Sequence, residues 1–100
     1  MADDRVALTV VLHAVPGREN ELATQLQALV PPTRAESGCV DYRLHTSAEN
    51  PGRFLFYEVF ASQAALDAHI HTSHFKAFLK YRENSDPVAD QTVMRWHIAS

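Results

Sequence analysis

Hydrophobic and polar residues alternate with two different periods along the chain, and the periods divide it into strands and helices. A first strand is predicted over residues 5–13, RVALTVVLH, where β-branched residues recur in loose alternation. A helix with one apolar stripe follows, because apolar residues recur at i, i+4, i+7 and i+8. This stripe consists of Leu22, Leu26, Leu29 and Val30. The Pro31-Pro32 pair is expected to kink or end the helix, because proline pushes the residue before it out of the helical region.

Two more strands, an interrupted helix and a last strand complete the pattern. Residues 39–45 alternate in polarity, and residues 53–60, RFLFYEVF, are largely apolar on both faces, as in a central strand. Ser62 is a good N-cap for the second helix, and Thr72-Ser73 offers a second cap, so this helix is expected to break and restart there. The last strand is predicted within residues 88–98.

The predicted order of elements is β-α-β-β-α-β, in a chain whose 100 residues suit a single domain over residues 1–100. Short connections and right-handed crossovers fold this order into the ferredoxin-like α+β class, a four-stranded antiparallel sheet with both helices on one face. The other face is then bare, and a second copy of the same sheet is the simplest cover for it. We therefore expect a homodimer with two sheets packed face to face.

Composition and charge exclude several kinds of partner. The net charge of -3 and nine scattered lysines and arginines give no basic surface for nucleic acid. No apolar run approaches the roughly 18 residues of a membrane span, so no membrane partner is expected. The N-terminal sequence MADDRVALTV is acidic and lacks the basic start of a signal peptide, which favours a cytoplasmic protein.

The single cysteine and the spacing of the histidines argue against metal and redox centres. Cys39 cannot form an internal disulfide or belong to a four-cysteine site, and we expect a small buried residue at a strand start. His69 and His71 are two residues apart, on opposite sides of a helix, and the predicted break disturbs the spacing of His71 and His74. This spacing does not favour a metal site. No glycine-rich phosphate loop is present, so no nucleotide or flavin site is expected either.

The segment from Leu66 to Tyr81 places three of the six histidines among apolar and aromatic residues. His69 lies with Leu66 and Ile70 at the i, i+3, i+4 spacing of an inward-facing stripe. Imidazole changes its protonation near neutral pH, and at an inward position it needs either a hydrogen-bond partner or a function. A satisfied core histidine is the alternative to a functional one.

Four stretches of the sequence together resemble a known family. They are VPGRENEL at 15–22, ESGCVDYRL at 36–44, NPGRFLFYEVF at 50–60 and SQAALDAHIHTSHFKAF at 62–78. This pattern, with H-x-x-x-x-H-F after Y-E-x-F, is similar to the antibiotic biosynthesis monooxygenase (ABM) superfamily of dimeric α+β barrel proteins. Members that the chain resembles include cofactor-independent quinol or polyketide monooxygenases, an isomerase of a phosphorylated signal and haem-degrading enzymes.

The haem-degrading branch differs from this chain at three positions. Its members carry a tryptophan where this chain has His69, and a haem-ligating histidine that aligns near Leu79. They also use an asparagine on the first strand, where this chain has Val10 or its neighbours. Haem degradation is therefore not expected, and the resemblance implies a reaction without a cofactor.

In the cofactor-independent monooxygenases that the chain resembles, the substrate supplies the electrons. A hydroquinone or phenol loses a proton and its anion reacts with dioxygen, while the protein provides an apolar pocket, a base and hydrogen-bond donors. His69 is predicted as the general base. His74, near the start of the restarted helix, is predicted to orient or stabilise a substrate oxygen. The expected substrates are dioxygen and a small dihydroxyaromatic or polyketide-like compound.

Aromatic and acidic residues near these histidines are predicted to form the substrate pocket. The predicted pocket residues are Tyr42, Tyr57, Glu58, Phe75, Phe78 and Tyr81. Successive strand residues point to opposite faces, so Tyr57 and Glu58 cannot both reach the pocket, and one is expected on the dimer face. Ordinary core packing is the alternative for the phenylalanines, and an ion pair between strands or subunits is the alternative for Glu58.

Two other functions stay open on the sequence alone. The same base would serve an isomerase or lyase that acts on a small polar metabolite. A non-catalytic dimeric ligand-binding or stress module is the third possibility. In that case the space between helices and sheet would be filled by Phe75, Phe78 and Trp96.

Overall fold

The structure, a computed structural model, describes residues 3–100, so the first two residues of the predicted domain lie outside the described part. The elements in chain order are β1 (Val6–Ala14), α1 (Glu19–Arg34), β2 (Cys39–Thr46), β3 (Arg53–Phe60), α2 (Gln63–Ile70), α3 (Ser73–Asn84) and β4 (Val88–Trp96). The strands form an antiparallel sheet in the order β2-β3-β1-β4. This confirms the predicted ferredoxin-like α+β class. Cys39 is the first residue of β2, as expected, but it is half-buried and not fully buried.

The register of the sheet places alternate residues of the central strands beneath the helices. Leu12 on β1 pairs with Phe54 on β3, and Leu8 pairs with Glu58. The buried core lies between this face and the helices, and consists of Leu12, Leu22, Leu26, Leu29, Tyr42, Phe54, Phe56, Phe78 and Val88. Burial of these side chains is the main force that holds the helices on the sheet. Glu58 therefore lies on the same face as the core.

The first helix continues through its two prolines and ends at Arg34. The expectation that Pro31-Pro32 could end the helix is therefore wrong. Proline removes the donors that would bond to the carbonyls of Gln27 and Ala28. Both of those residues are exposed, so water is available to their carbonyls. The fully buried Thr33 holds the last turn against the core.

The second helical region breaks where the sequence predicts. The Ser62 hydroxyl accepts a hydrogen bond from the Ala65 N–H at 3.1 Å and so caps α2. The Thr72 hydroxyl accepts from the Phe75 N–H at 3.3 Å and caps α3. Thr72 also donates to the His69 carbonyl at 2.7 Å, which ties the end of one helix to the start of the next.

The sheet face opposite the helices is left uncovered within residues 3–100. Alternate residues of β4 belong to the two faces of the sheet. Gln91, Val93 and Arg95 share the helix-covered side with Leu8 and its neighbours, whereas Thr92, Met94 and Trp96 lie on the uncovered side. Trp96 is 48% exposed and Met94 is 49% exposed. None of the helices in the described part of the chain is long and apolar enough to cross a membrane.

Gly38 allows α2 to approach the start of β2 closely. A Cβ atom at this position would lie 2.4 Å from the Cβ of Ala65 and 3.3 Å from its Cα. Glu36 precedes Gly38 by two residues, and His69 follows Ala65 by about one helical turn. The contact between Gly38 and Ala65 therefore brings Glu36 and His69 together.

Gly38→Ala is expected to destabilise the fold by about 1–3 kcal/mol, because the added methyl overlaps Ala65. The measurement is urea unfolding of the variant and the wild type. Ala65→Gly alone should cost about 1 kcal/mol in helix propensity. The double variant should be more stable than the sum of the two single effects, since the overlap is then absent. Strictly additive effects would show that the overlap is not the cause.

Candidate functional site

A single carboxylate oxygen joins two histidines from different helices. The Oε2 atom of Glu36 lies 2.8 Å from Nδ1 of His69 and 2.6 Å from Nε2 of His74. In one continuous helix, residues five positions apart would point in clearly different directions. The break at Thr72 removes this constraint, so the end of α2 and the start of α3 both present a ring to Glu36. We refer to these three residues as the Glu36 cluster.

The Glu36 cluster is sheltered from solvent and it orients the His69 ring. The side chain of His69 is 3% exposed, that of Glu36 14% and that of His74 19%. An ionised carboxylate only accepts hydrogen bonds, so Nδ1 of a neutral His69 carries the hydrogen and Nε2 carries a lone pair. The ring packs against Phe60 and Phe75, with centroid separations of 4.9 and 5.0 Å. His69 is thus a buried imidazole with one fixed tautomer.

A cavity of about 480 Å³ opens between the sheet and the three helices. Its walls are mostly apolar, and they include the stacked rings of Tyr42 and Phe56, 4.7 Å apart. Phe75 and Phe78 line the cavity without filling it, and Trp96 lies on the other sheet face. The packed space that a pocketless module would require is therefore absent from the described chain. The volume suits a small organic molecule.

Glu58 and His69 are polar groups in the inner wall of this cavity. Glu58 is only 6% exposed, and within residues 3–100 its carboxyl group makes no hydrogen bond or ion pair. The ion pair considered as an alternative is thus not formed between strands of the described chain. Burial, and secondly the negative charge of Glu36, raise the pKa of Glu58 to about 7. This carboxyl group gains or loses its proton near neutral pH.

Two other ionisable groups near the cavity stay protonated. Burial raises the pKa of the Tyr42 phenol, and the negative charge of Glu58 adds to the effect. Burial also raises the pKa of the Cys39 thiol. Tyr42 therefore acts as a neutral hydroxyl group, and Cys39 is not a thiolate nucleophile. Glu58 and His69 are left as the acid–base groups of the inner wall.

The structure brings most of the predicted site residues to one place. The cavity is lined by the predicted residues Tyr42, Glu58, His69, Phe75 and Phe78. Tyr57 and Glu58 point to opposite faces, as predicted, with Tyr57 on the uncovered face. Tyr81 lies away from the cavity, because its hydroxyl group donates a hydrogen bond to Glu21 on α1. His74 does not line the cavity and is connected to it through Glu36 and His69.

Glu36 is the member of the site that the sequence reasoning missed. It lies 33 residues from His69 and 38 residues from His74. A glutamate just after a helix is usually solvated, so its residue type gives no signal. Only the approach of α2 to the start of β2, through Gly38, places Glu36 beside the histidines. The small residue at position 38 is the one sequence feature that could have indicated it.

The Glu36 cluster also offers three atoms of the kind that bind metal ions. These atoms lie within 4.8 Å of one another. The 2.6 and 2.8 Å separations are hydrogen-bond lengths, whereas two ligands of a tetrahedral zinc ion lie about 3.3 Å apart. A metal ion would therefore require the side chains to separate. In this arrangement the cluster fits two imidazoles that share a carboxylate.

Comparison with known proteins places the chain among related sequences. The family model described as "Antibiotic biosynthesis monooxygenase" matches residues 5–81. "Uncharacterized protein sll1783" of Synechocystis is 32% identical over 79 residues, covering 79% of this chain and 54% of that protein. "Putative monooxygenase Rv0793" of Mycobacterium tuberculosis is 39% identical over 67 residues, covering 67% of this chain and 62% of that protein. The chain thus matches a little over half the length of these relatives.

Solved structures share the same fold. The crystal structure of PA3566 from Pseudomonas aeruginosa superposes with a TM-score of 0.92 at 29% identity, covering 100% of this chain and 99% of that one. The structure of Rv0793 from Mycobacterium tuberculosis gives a TM-score of 0.78 at 32% identity, covering 96% of this chain and 99% of that one.

Glu58→Gln is expected to change how stability depends on pH. The pKa of Glu58 rises from its ordinary value of 4.5 to about 7 on folding, so the folded state holds this proton more tightly. The resulting stability is fully present below pH 4.5 and is lost as pH rises through 7. Between pH 4.5 and pH 8, the free energy of unfolding of the variant should therefore rise by about 3 kcal/mol relative to that of the wild type.

Urea unfolding across this pH range measures the effect. Glu49→Gln is the matched control, because Glu49 is an exposed acid in the loop between β2 and β3. Its profile should follow that of the wild type. Parallel profiles for Glu58→Gln and the wild type would show that burial does not perturb this carboxyl group.

Proposed function

The chain belongs to the antibiotic biosynthesis monooxygenase family, and from this premise we propose that it is a cofactor-independent monooxygenase. Its substrate is a small dihydroxyaromatic or polyketide-like compound, which reacts with dioxygen. The observation that carries the proposal is the His69 imidazole, fixed by Glu36 in the wall of an apolar cavity of about 480 Å³. An oriented base beside an apolar space is what the first step of this reaction needs.

The reaction begins with proton transfer from a substrate hydroxyl group to Nε2 of His69. The electron-rich ring carbon of the anion then forms a bond to dioxygen, which is reduced to the peroxide level. Cleavage of the O–O bond leaves one oxygen atom on the ring and releases the other as water. The product contains two hydrogen atoms fewer and one oxygen atom more than the substrate. The substrate itself supplies the electrons, so no external reductant takes part.

The Glu36 cluster gives each of its members a role. His69 is the base, and the negative charge of Glu36 stabilises the imidazolium that forms when His69 takes the proton. His74 donates a second hydrogen bond to the same oxygen atom and so holds Glu36 in place. In this scheme His74 is a positioning residue. This role differs from the sequence-based expectation that His74 itself contacts a substrate oxygen.

We also propose a homodimer in which a second copy covers the bare sheet face. Trp96 and Met94 are about half exposed there, which is unusual for side chains with so much apolar surface. Tyr57 adds a second partly exposed ring on the same face. An isologous contact would bury these residues on both copies at once.

The catalytic proposal is tested by oxygen uptake with a panel of hydroquinones. The wild type should consume dioxygen, place one atom of ¹⁸O₂ in the product, and stay active after treatment with a chelator. His69→Ala should lower kcat by about 10²- to 10⁴-fold, because the proton acceptor is lost. His71→Ala is the matched control, since His71 is exposed between α2 and α3, and it should leave kcat unchanged.

Three outcomes would contradict parts of this proposal. Unchanged oxygen uptake in the His69→Ala/His74→Ala double variant would remove the assigned roles. Activity that is lost on chelation and restored by metal would overturn the cofactor-independent mechanism. Exchange of substrate hydrogen with solvent in the absence of dioxygen uptake would indicate an isomerase instead.

The dimer is tested by sedimentation equilibrium, which should give twice the chain mass of 11.2 kDa. Met94→Asp/Trp96→Asp should shift the protein toward the monomer, because charges would be buried against each other at the contact. Lys80→Asp, on the exposed side of α3, should leave the mass unchanged. A wild-type protein that remains monomeric at high concentration would contradict the proposal.

A further inference from the structure

Glu58 is a buried carboxyl group that opens into the cavity and has no hydrogen-bond partner among residues 3–100. Only 6% of Glu58 is exposed, and the residue lines the cavity wall. Among the described residues, the one fully enclosed side-chain oxygen or nitrogen atom without a hydrogen bond is Oγ1 of Thr33. The unpartnered oxygens of Glu58 are therefore not enclosed by protein and face the cavity. A buried polar group of this kind is usually satisfied by a ligand or by water.

The surroundings of Glu58 favour its uncharged form. Tyr42 pairs with it across β2, and Leu8 pairs with it across β1. The rings of Tyr42 and Phe60 also contact His69, at 5.9 and 4.9 Å between centroids. Glu58 and His69 thus both line this cavity, and Tyr42 is a neighbour of each. A ligand that fills the cavity meets both groups.

Among residues 3–100, the cations that line the cavity are not placed to neutralise Glu58. Arg82 pairs with Asp86 and donates to Gln91. Arg95 lies on the same sheet face but two strands away, with Leu8 between them. The titratable or charged groups around Glu58 are Glu36, Cys39, Tyr42, Asp67, His69, Arg82 and Arg95.

We propose that Glu58 binds the ligand as a neutral carboxylic acid and donates a hydrogen bond to one of its oxygen atoms. His69 binds a second oxygen atom of the same molecule. The cavity therefore takes an uncharged aromatic compound with two oxygen substituents. This inference deepens the proposed function and rests on it for the aromatic nature of the ligand. An ammonium ligand, paired with an ionised Glu58, is the competing outcome of the test.

Binding of two isosteric phenols tests this role without any turnover. The 4-methoxyphenol and 4-ethylphenol molecules have the same number of non-hydrogen atoms and similar volumes, and differ in that an ether oxygen of the first replaces a CH2 group of the second. Calorimetric titration of the wild type at pH 5.5 should show about 2- to 10-fold tighter binding of 4-methoxyphenol, the value of one hydrogen bond. At pH 8.5 this preference should disappear, because Glu58 then lacks the proton that it donates.

Variants of Glu58 separate the donor from the charge. Glu58→Gln keeps an N–H donor that does not titrate, so it should keep the preference for 4-methoxyphenol at both pH values. Glu58→Leu should lose the preference at both. Glu49→Gln, the exposed control, should behave as the wild type does. Circular dichroism of each variant establishes that it is folded.

The outcomes distinguish this inference from the proposed function. A preference that survives in Glu58→Leu would overturn the role of Glu58. Tighter binding of 4-(aminomethyl)phenol at pH 8.5, lost in Glu58→Gln, would overturn the neutral acid in favour of a carboxylate that pairs with ammonium. The pH-dependent preference without any oxygen uptake would support the binding role and contradict oxygenation. Oxygen uptake without the pH-dependent preference would support oxygenation and contradict the binding role of Glu58.

Discussion

The pair of hydrogen bonds to one oxygen atom of Glu36 is the interaction on which the site depends. It joins the segment before β2 to the end of α2 and the start of α3, across 33 and 38 residues of chain. Each hydrogen bond to a charged acceptor is worth about 1.5–3 kcal/mol, and shelter from water strengthens it. The same contacts fix the His69 ring and hold the break between the helices in one arrangement. The stability of the junction between α2 and α3 and the orientation of the His69 ring therefore have a common origin.

The cavity follows from the way the helical layer is divided. One long helix would cover the sheet with a continuous apolar stripe, whereas two short helices meet the sheet at separate places. The helix caps at Ser62 and Thr72 set the start of each helix, so these two hydroxyl groups define where the layer is interrupted. Phe75 and Phe78 then form a wall over the strands. The two capping residues, Ser62 and Thr72, thus help to determine where the apolar cavity forms.

The sequence predicts the fold well because its signals are local. Strand alternation, the leucine stripe of α1 and the caps of α2 and α3 each lie within a short window of residues. The same applies to His69, whose inward position follows from helical spacing, and to the opposite directions of Tyr57 and Glu58. The extent of α1 beyond Pro31 was not predictable in this way, because it depends on the burial of Thr33 against the sheet.

The site was harder to predict, because its geometry joins distant segments. Glu36 reaches the histidines only through the close approach of Gly38 to Ala65, which no periodicity reveals. Tyr81 was expected in the cavity because of its aromatic ring, but its hydroxyl group binds Glu21 on the neighbouring helix. The sequence therefore indicates which side chains face inward, and tertiary packing decides which of them meet.

The last strand has a consequence for how such a protein can vary during evolution. Gln91, Val93 and Arg95 border the cavity, and Thr92, Met94 and Trp96 between them form the uncovered face. Substitutions at one set leave the other set in place, so ligand preference and surface properties can diverge independently. A single-residue insertion or deletion in β4 would exchange the two sets. Lineages of this fold should thus accept many point changes in β4 while keeping its length constant.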